Sequence, residues 1–126
     1  MTNNNEILFK ELSYQIIGIA FKIHTKLGSA LPEHCYHHAF EHELTSQGIP
    51  FTTQQIHQVY YSDANVGHFY SDLIIDSKII IELKSDEKIT TNHFAQLFTY
   101  LRVCKLKVGY LINFGSRSLQ FKRLIL

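Results

Sequence analysis

The sequence of 126 residues has little of what marks a zinc-binding, secreted or membrane-spanning protein. Its two cysteines, Cys35 and Cys104, form no CxxC pair, so a cysteine-based zinc site is not expected and both thiols are expected to be reduced and buried. No apolar run is long enough to cross a bilayer. Residues 1–6 are polar and lack the basic and apolar regions of a signal peptide. We therefore expect a cytoplasmic protein that makes no membrane contact.

Basic residues are scarce in the first part of the chain. Residues 1–77 hold three Lys or Arg against eight Asp or Glu, whereas residues 78–126 hold nine against three. Such asymmetry permits a phosphate-facing surface on the second part, although an ordinary solvated surface of mixed charge fits the same counts. The length is typical of one domain, so residues 1–126 are expected to form a single domain.

Apolar spacing and turn residues predict eight elements in the order α-α-β-β-β-α-β-β. Helices are predicted over residues 6–27, 32–47 and after the polar loop 85–91, and strands over residues 49–61, 66–76, 79–84, 106–114 and 119–126. The first three strands have short connections and should form an antiparallel meander, while the intervening helix should make the third and fourth strands parallel neighbours. The predicted fold class is α/β (α+β), with a mixed sheet of about five strands flanked by helices.

Three charged residues stand in two of these apolar strands. Asp72 lies in the second strand, and Glu82 and Lys84 close the third. Burying a charge is costly unless it is paired or binds a metal. Residues i and i+2 of a strand share a face, so Glu82 and Lys84 should point the same way, with Asp72 alongside. Two neighbouring carboxylates repel each other unless a cation separates them, and Mg²⁺ or Mn²⁺ suits so few oxygen ligands, with the Leu83 carbonyl as a further one.

This arrangement suits metal-assisted hydrolysis of a phosphodiester. Lys84 would position the attacking water and stabilise charge that develops on the phosphate. The alternative is an exposed end of the sheet, where Glu82 and Lys84 are solvated and Asp72 lies in a turn. A Glu-x-Lys pattern alone does not separate the two.

Polar residues on two helices extend the candidate site. Glu33 opens the second helix, although the interaction of a carboxylate with the helix dipole explains it equally well. His37 lies one turn beyond Glu33 and is expected to face the same cleft, where it would support the site or contact phosphate. Gln96 and Tyr100 are spaced i, i+4 on the third helix, which is also the pattern of an ordinary polar flank.

The second helix carries a stripe of histidines at i, i+4, i+8: His34, His38 and His42. A pair at i, i+4 can bind zinc, but no third or fourth ligand is apparent, so an exposed, pH-sensitive face is expected. The aromatic residues of the first two strands could stack on bases, and packing on the sheet is the role expected for most of them. They are Tyr60, Tyr61, Phe69 and Tyr70.

Together these motifs resemble the GxxExxY proteins of the PD-(D/E)xK nuclease superfamily over nearly the whole chain. The resemblance is carried by residues 16–18, 24–28, 33–36, 41–44, 70–73, 81–84, 96–100 and 111–115. It implies a restriction-endonuclease-like core. It also implies that Asp72 and Glu82 are the metal ligands, that Lys84 is the catalytic lysine, and that Glu33 is an additional acid from a helix.

Other features of the resemblance concern the surroundings of the site. Gln96 and Tyr100 match the QxxxY pattern of the RecB-like branch, and Tyr36 is the tyrosine of the GxxExxY motif, expected to support the site or bind substrate. The sequence departs from the family at Ala30, which stands where the motif has its leading glycine. It also has Ser71 where the superfamily motif has proline.

The resulting prediction is a metal-dependent nuclease that acts on nucleic acid, with DNA favoured over RNA. The alternative is a catalytically silent module that keeps the fold and binds nucleic acid or protein. A closed cleft in which Lys84 pairs with Glu33 would favour that alternative. The chain has no separate recognition domain, so a homodimer or a partner subunit is expected to supply specificity.

Overall fold

The computed structural model describes residues 7–126, which form three helices and five strands in the predicted order. The helices are α1 (Lys10–Leu27), α2 (Glu33–Ser46) and α3 (Thr91–Cys104), and the strands are β1 (Phe51–Tyr61), β2 (Ala64–Ile75), β3 (Ile79–Lys84), β4 (Val108–Asn113) and β5 (Gln120–Ile125). No helix among these residues is long and apolar enough to cross a membrane.

The five strands form one mixed sheet in the order β1-β2-β3-β4-β5. All neighbours are antiparallel except β3 and β4, which run parallel because α3 connects them as a crossover. The predicted fold class is therefore confirmed, and the arrangement is consistent with a restriction-endonuclease-like α+β fold.

Strand β3 is buried on both faces, because helices cover both sides of the sheet. Ile79, Ile81 and Leu83 belong to the core under α1 and α2, whereas Ile80 and Leu111 pack under α3. Alternate residues of β3 thus enter different layers, which explains the unbroken apolar run in the sequence. Glu82 and Lys84 have the parity of Ile80 and lie on the α3 side.

Most element bounds differ from the predicted ones by a few residues. The predicted start of the first helix at residue 6 lies outside the described residues, and α1 begins at Lys10 after Phe9, whose φ of 56° is left-handed. The helix ends as predicted at Gly28, where a φ of 74° favours glycine. Cys35 and Cys104 are free, as expected, but only half-buried.

The β1–β2 hairpin extends well beyond β3. Strand β2 pairs with β3 only at residues 73–75, whereas β1 and β2 pair with each other out to residues 61 and 64. The hairpin changes direction at Gln54, whose φ is 49°, opposite Asp72. Leu73 contacts the core under α1 and α2, but Ser71, two residues earlier, contacts a residue that lies against α3. Strands β2 and β3 therefore diverge at Asp72.

The aromatic residues of this hairpin correct the sequence-based expectation. Tyr60, Tyr61 and Tyr70 are 63%, 76% and 52% exposed, and only Phe69 is packed, against Tyr100 of α3. Packing was expected for most of the four. It fails because the outer part of the hairpin has passed the edge of β3 and has only α3 beside it.

Candidate active site

Asp72 and Glu82 lie opposite each other where β2 and β3 diverge. The last pair in the antiparallel ladder is Leu73↔Ile81, so Asp72 and Glu82 occupy the next positions, one beyond the end of the pairing. Asp72 remains attached to β3 through its side chain, because its Oδ2 accepts a hydrogen bond of 2.8 Å from the Leu83 amide. The divergence of the strands thus leaves two carboxylates facing a gap.

Glu82 is buried to an unusual degree for a carboxylate. It is 5% exposed, and its Oε1 has no hydrogen-bond partner among residues 7–126. Burial, followed by the charge and the side-chain hydrogen bond of Asp72, raises the pKa of Glu82 to about 10. Without a cation the pair therefore keeps a proton at neutral pH. A buried oxygen that lacks a partner in this range, beside a second carboxylate, is a donor arrangement that fits a cation.

The backbone of β3 adds a third oxygen to this gap. The N–H and C=O of one strand residue point to the same side, so the Leu83 carbonyl points towards β2, as its amide does. The Lys84 carbonyl points the other way and accepts from the Phe114 amide at 2.8 Å. Two carboxylates and a carbonyl form a hard, all-oxygen set that fits Mg²⁺ or Mn²⁺ with several waters retained.

Side chains alone would not complete such a centre. Within residues 7–126, no group of three or more His, Cys, Asp or Glu side chains is placed to hold a metal ion. This agrees with a site that has two carboxylate ligands and depends on backbone and water for the others.

Lys84 is the cation beside the carboxylates. It lies on the same face of β3 as Glu82 and is partly exposed. Burial and Asp72 raise the pKa values of Glu82 and Glu33, and the charge of Lys84 opposes that rise at both. Lys84 belongs to none of the ion pairs formed in the described part of the chain. Its ammonium group is thus near the gap without being neutralised by one partner.

Glu33 brings a third carboxylate towards the pair from the opposite layer. It is the first residue of α2 and follows Pro32, which caps the helix without a side-chain hydrogen bond. Burial raises the pKa of Glu33 most, the charge of Asp72 raises it next, and Lys84 lowers it. Helix capping explains the residue type, and Glu33 also lines the same groove as Asp72.

Tyr36 holds the loop that leads to Glu33. Its hydroxyl donates to the Gly28 carbonyl at 2.6 Å and accepts from the Leu31 amide at 3.2 Å, while its ring stacks on Phe114 at 4.5 Å. Ser85, directly after Lys84, donates to the Leu31 carbonyl at 2.9 Å. The loop before Glu33 is therefore tied to the end of β3. Tyr36 is fully buried, so of its two expected roles the supporting one fits its position.

The predicted pair on α3 divides. Tyr100 stacks at 3.9 Å on Phe69, which lies three residues before Asp72 on β2. Burial, followed by the charges of Glu82 and Asp72, raises the pKa of Tyr100. Gln96, one turn earlier, is exposed. The structure thus brings Tyr100 close to the site and leaves Gln96 on the surface of the helix.

A groove of about 510 Å³ between α2 and β1 opens beside Asp72. His37 is buried in its wall, with Nε2 2.7 Å from the Thr53 hydroxyl and 3.4 Å from Glu41. Glu33 also borders this groove, so the expectation that His37 and Glu33 share a cleft agrees with their placement. His34, His38 and His42 are exposed.

Asn113 is a residue of the site region that sequence analysis did not single out. It is fully buried and pairs with Lys84 in the parallel ladder. Its Oδ1 accepts from the amides of Asp86 and Gly115, both at 3.0 Å, and its Nδ2 donates to the Asp86 carbonyl at 2.9 Å. It thereby fixes the loop after Lys84. An Asn-x-Gly at the end of an apolar strand was the available signal.

A second unpredicted cluster braces the hairpin just before Asp72. His57 Nε2 lies 2.9 Å from the Ser71 hydroxyl, and its Nδ1 lies 3.5 Å from Cys104 Sγ. Burial lowers the pKa of His57, and burial, followed by the charge of Glu82, raises the pKa of Cys104 to about 11. Both groups are therefore neutral at neutral pH. They fix the position of β2 relative to α3.

Comparisons with known proteins agree with this arrangement. Residues 10–124 match the family described as the PD-(D/E)XK nuclease superfamily. A solved structure, that of SSO0001, aligns with a TM-score of 0.56 and 16% identity over 99% of this chain and 69% of that one, which is a likeness of fold. No curated protein matches the sequence. The chain belongs to the PD-(D/E)XK nuclease superfamily.

Proposed function

We propose that this member of the superfamily is a nuclease that uses Mg²⁺ or Mn²⁺ to hydrolyse phosphodiester bonds in nucleic acid, with DNA as the favoured substrate. The observation that carries the proposal is the buried Glu82 beside Asp72, with an oxygen that has no partner in the described residues. We further propose the GxxExxY group as its place in the superfamily, because Glu33 and Tyr36 keep that motif's spacing.

The residues of the site divide into ligands and groups that act on the substrate. Asp72, Glu82 and the Leu83 carbonyl would hold the cation, which when bound supplies Lewis-acid stabilisation of the phosphate and activates water. In the reaction an attacking water gives up one proton to solvent and its oxygen forms a bond to phosphorus. The bond from phosphorus to the leaving oxygen breaks, and the leaving oxygen takes up a proton from solvent. Lys84 donates hydrogen bonds to the attacking water and to the phosphate as negative charge develops.

Glu33, Tyr100 and His37 would act around this centre. Glu33 faces the pair from α2 and would orient waters on the side opposite Tyr100. Tyr100 presents a protonated hydroxyl, because its pKa is raised. His37 forms a wall of the groove next to Asp72 and would contact the substrate only through groups that enter that groove. Gln96 is exposed one turn from Tyr100, where it would meet a substrate strand crossing α3.

The test is cleavage of labelled single- and double-stranded DNA and RNA in the presence of Mg²⁺ or Mn²⁺. Wild type is compared with Lys84→Ala, Asp72→Ala and the matched control Lys107→Ala, an exposed lysine directly before β4. We expect metal-dependent cutting by wild type and the control, and none by the two site variants. Equal cutting by all four proteins would show contamination and remove the proposal.

The alternative function is a module that keeps the fold without catalysis. A cleft closed by a Lys84–Glu33 ion pair would favour it, and Lys84 takes part in no ion pair within residues 7–126. Binding of nucleic acid without cutting, under every metal condition, would favour the module. A homodimer or partner subunit remains our proposal for the source of specificity, and light scattering on the purified chain tests the dimer.

A further inference from the structure

One groove lies beside the carboxylate pair and another lies on β5, two strands away from β3, and the two differ in their charged lining. The groove between α2 and β1 is lined by three carboxylates, Glu33, Glu41 and Asp72, and by three histidines, His34, His37 and His38. The second groove, of about 380 Å³, lies between the start of α3 and β5, and Lys88 and Lys122 are its charged lining residues. A phosphodiester backbone carries one negative charge per nucleotide, so the second groove, which has two lysines and no carboxylate, complements it better than the first, which has three carboxylates and no Lys or Arg.

The imbalance extends over whole elements. Residues 27–77, which supply α2, β1 and β2, contain no Lys or Arg. A phosphate that lies over these elements meets no lysine or arginine, whereas β3, the loop before α3 and β5 supply Lys84, Lys88 and Lys122. The lysines Lys10, Lys22 and Lys26 lie on α1.

The strand register places Lys122 in the same row as Glu82. Glu82 pairs with Leu111, and Leu111 pairs with Lys122, so the three residues share the α3 face of the sheet. With neighbouring strands about 4.8 Å apart, the backbone of Lys122 lies about 10 Å from that of Glu82. This equals the rise of about three nucleotides along the axis of a duplex, at 3.4 Å each. Leu111 is covered by α3, so a substrate strand would pass over the loop before that helix.

That loop carries Lys88 and is fixed to the groove wall. Asn113 holds the loop at Asp86 and also donates from Nδ2 to Gln120 Oε1 at 3.1 Å. With its oxygen engaged in this way, Gln120 presents its amide NH₂ as a donor in the lining of the groove. Asn113 therefore holds the loop that carries Lys88 in a fixed position relative to the end of β3 and to β5.

We propose that the nucleic-acid substrate leaves the active site across the Lys88 loop and that Lys88 and Lys122 bind its phosphates in the groove between α3 and β5. The inference rests on the proposed nuclease function and names the surface that holds the substrate. The apolar floor of the groove, formed by Ile89, Phe94 and Leu119, suits the sugar and base faces of a single strand.

The test measures binding separately from cleavage. All proteins are full-length and carry Lys84→Ala, so that no substrate is cut. Fluorescence anisotropy then gives the affinity for labelled single-stranded DNA, single-stranded RNA and duplex DNA at a series of salt concentrations. The double variant Lys88→Gln/Lys122→Gln is compared with Lys10→Gln/Lys26→Gln, which removes the same charge from exposed positions of α1.

We expect the groove variant to bind roughly tenfold more weakly or worse, and its plot of log K against log salt to be shallower by about 1.4–1.8, because about 0.7–0.9 is lost per phosphate contact. The α1 variant should keep the parent slope. Each single lysine variant should show about half of this change in slope. Such a graded result would distinguish lost phosphate contacts from a folding defect in the double variant.

Three results would overturn the inference. If the groove variant keeps the parent slope of log K against log salt, the groove does not bind phosphates. The nuclease proposal would stand, since wild type would still cut. An equal loss in the α1 variant would show only general attraction. If the parent Lys84→Ala protein binds none of the probes, the proposal that the groove binds substrate is refuted. The cleavage panel with wild type would then decide the nuclease proposal by itself.

Discussion

Glu82→Gln should stabilise the metal-free protein at neutral pH, even though it removes a residue of the candidate site. Burial and Asp72 raise the pKa of Glu82 to about 10 in the folded chain, from 4.5 in the unfolded one. Between these two values the folded state binds one more proton than the unfolded state. Stability therefore falls as pH rises through this window, and the contribution of Glu82 is most favourable below pH 4.5.

The size of the effect follows from the same two values. At pH 7 the unfolded chain gains the free energy of ionising a carboxyl group 2.5 units above its pKa of 4.5, at about 1.4 kcal/mol per unit, which is about 3.5 kcal/mol. Glutamine ionises in neither state and so removes this gain. The glutamine NH₂ group must also be satisfied next to Asp72, which reduces the expected net stabilisation to about 2–3 kcal/mol.

The assay is urea unfolding in EDTA at pH 5, 6, 7 and 8 for wild type, Glu82→Gln and the exposed control Glu87→Gln. The difference between wild type and Glu82→Gln should be under about 1 kcal/mol at pH 5 and should grow by about 1.4 kcal/mol per pH unit above that. The control should follow wild type. Millimolar Mg²⁺ should then stabilise wild type and leave Glu82→Gln unchanged, because only the former regains a bound cation.

A pH-independent difference between the two proteins would refute the reasoning. So would a variant that is less stable than wild type at every pH, since Glu82 would then be ionised and paired in the metal-free state. Equal stabilisation of both proteins by Mg²⁺ would show that the cation binds somewhere other than the Asp72–Glu82 gap.

Three other substitutions test the surroundings of the site. Gly115→Ala should lower stability by about 2 kcal/mol or more in thermal unfolding, because a Cβ there would overlap the backbone of Asp86, whereas Gly18→Ala, in open space, should not destabilise. Tyr36→Phe loses two hydroxyl hydrogen bonds and should cost about 1–2 kcal/mol. It should also raise the Mg²⁺ concentration needed for half-maximal cleavage, and this second effect should disappear in a Glu33→Gln background. Asn113→Leu should abolish cleavage at temperatures where circular dichroism still shows a folded chain, because the loop after Lys84 loses its anchor; retained activity would contradict that role.

Strand β3 was predictable from the sequence to the residue. Its bounds of Ile79 and Lys84 are those expected, because an unbroken apolar run is closed by a turn on one side and by charges on the other. Because residues i and i+2 of a strand share a face, Glu82 and Lys84 were expected on one face. The short turn before Ile79 placed Asp72 opposite Glu82 on the neighbouring strand. These are local consequences of strand geometry and turn chemistry. The metal and substrate roles of the same residues stay predictions.

The parts that escaped prediction depend on contacts between distant residues. The His57–Cys104 contact joins positions 47 apart, and no periodicity encodes it. The left-handed Gln54 is equally invisible in the sequence, since nothing in its residue type requires a positive φ. Asn113 looked like the polar end of a strand, and its importance lies in the backbone groups that it happens to reach in three dimensions.

Because the hairpin separates from β3, the inner and outer parts of β2 have different structural roles. The inner end of β2 is fixed by its ladder with β3 and by the Asp72 side chain, whereas the turn at Ser62 and Asp63 is about ten residues, or roughly 33 Å of extended strand, away from Leu73. Lengthening, shortening or exchanging the turn would change the contacts that the protein can make far from the carboxylate pair. It would leave the spacing of the two carboxylates unaltered. The outer part of the β1–β2 hairpin can therefore change in sequence or length without altering the Asp72–Glu82 pair.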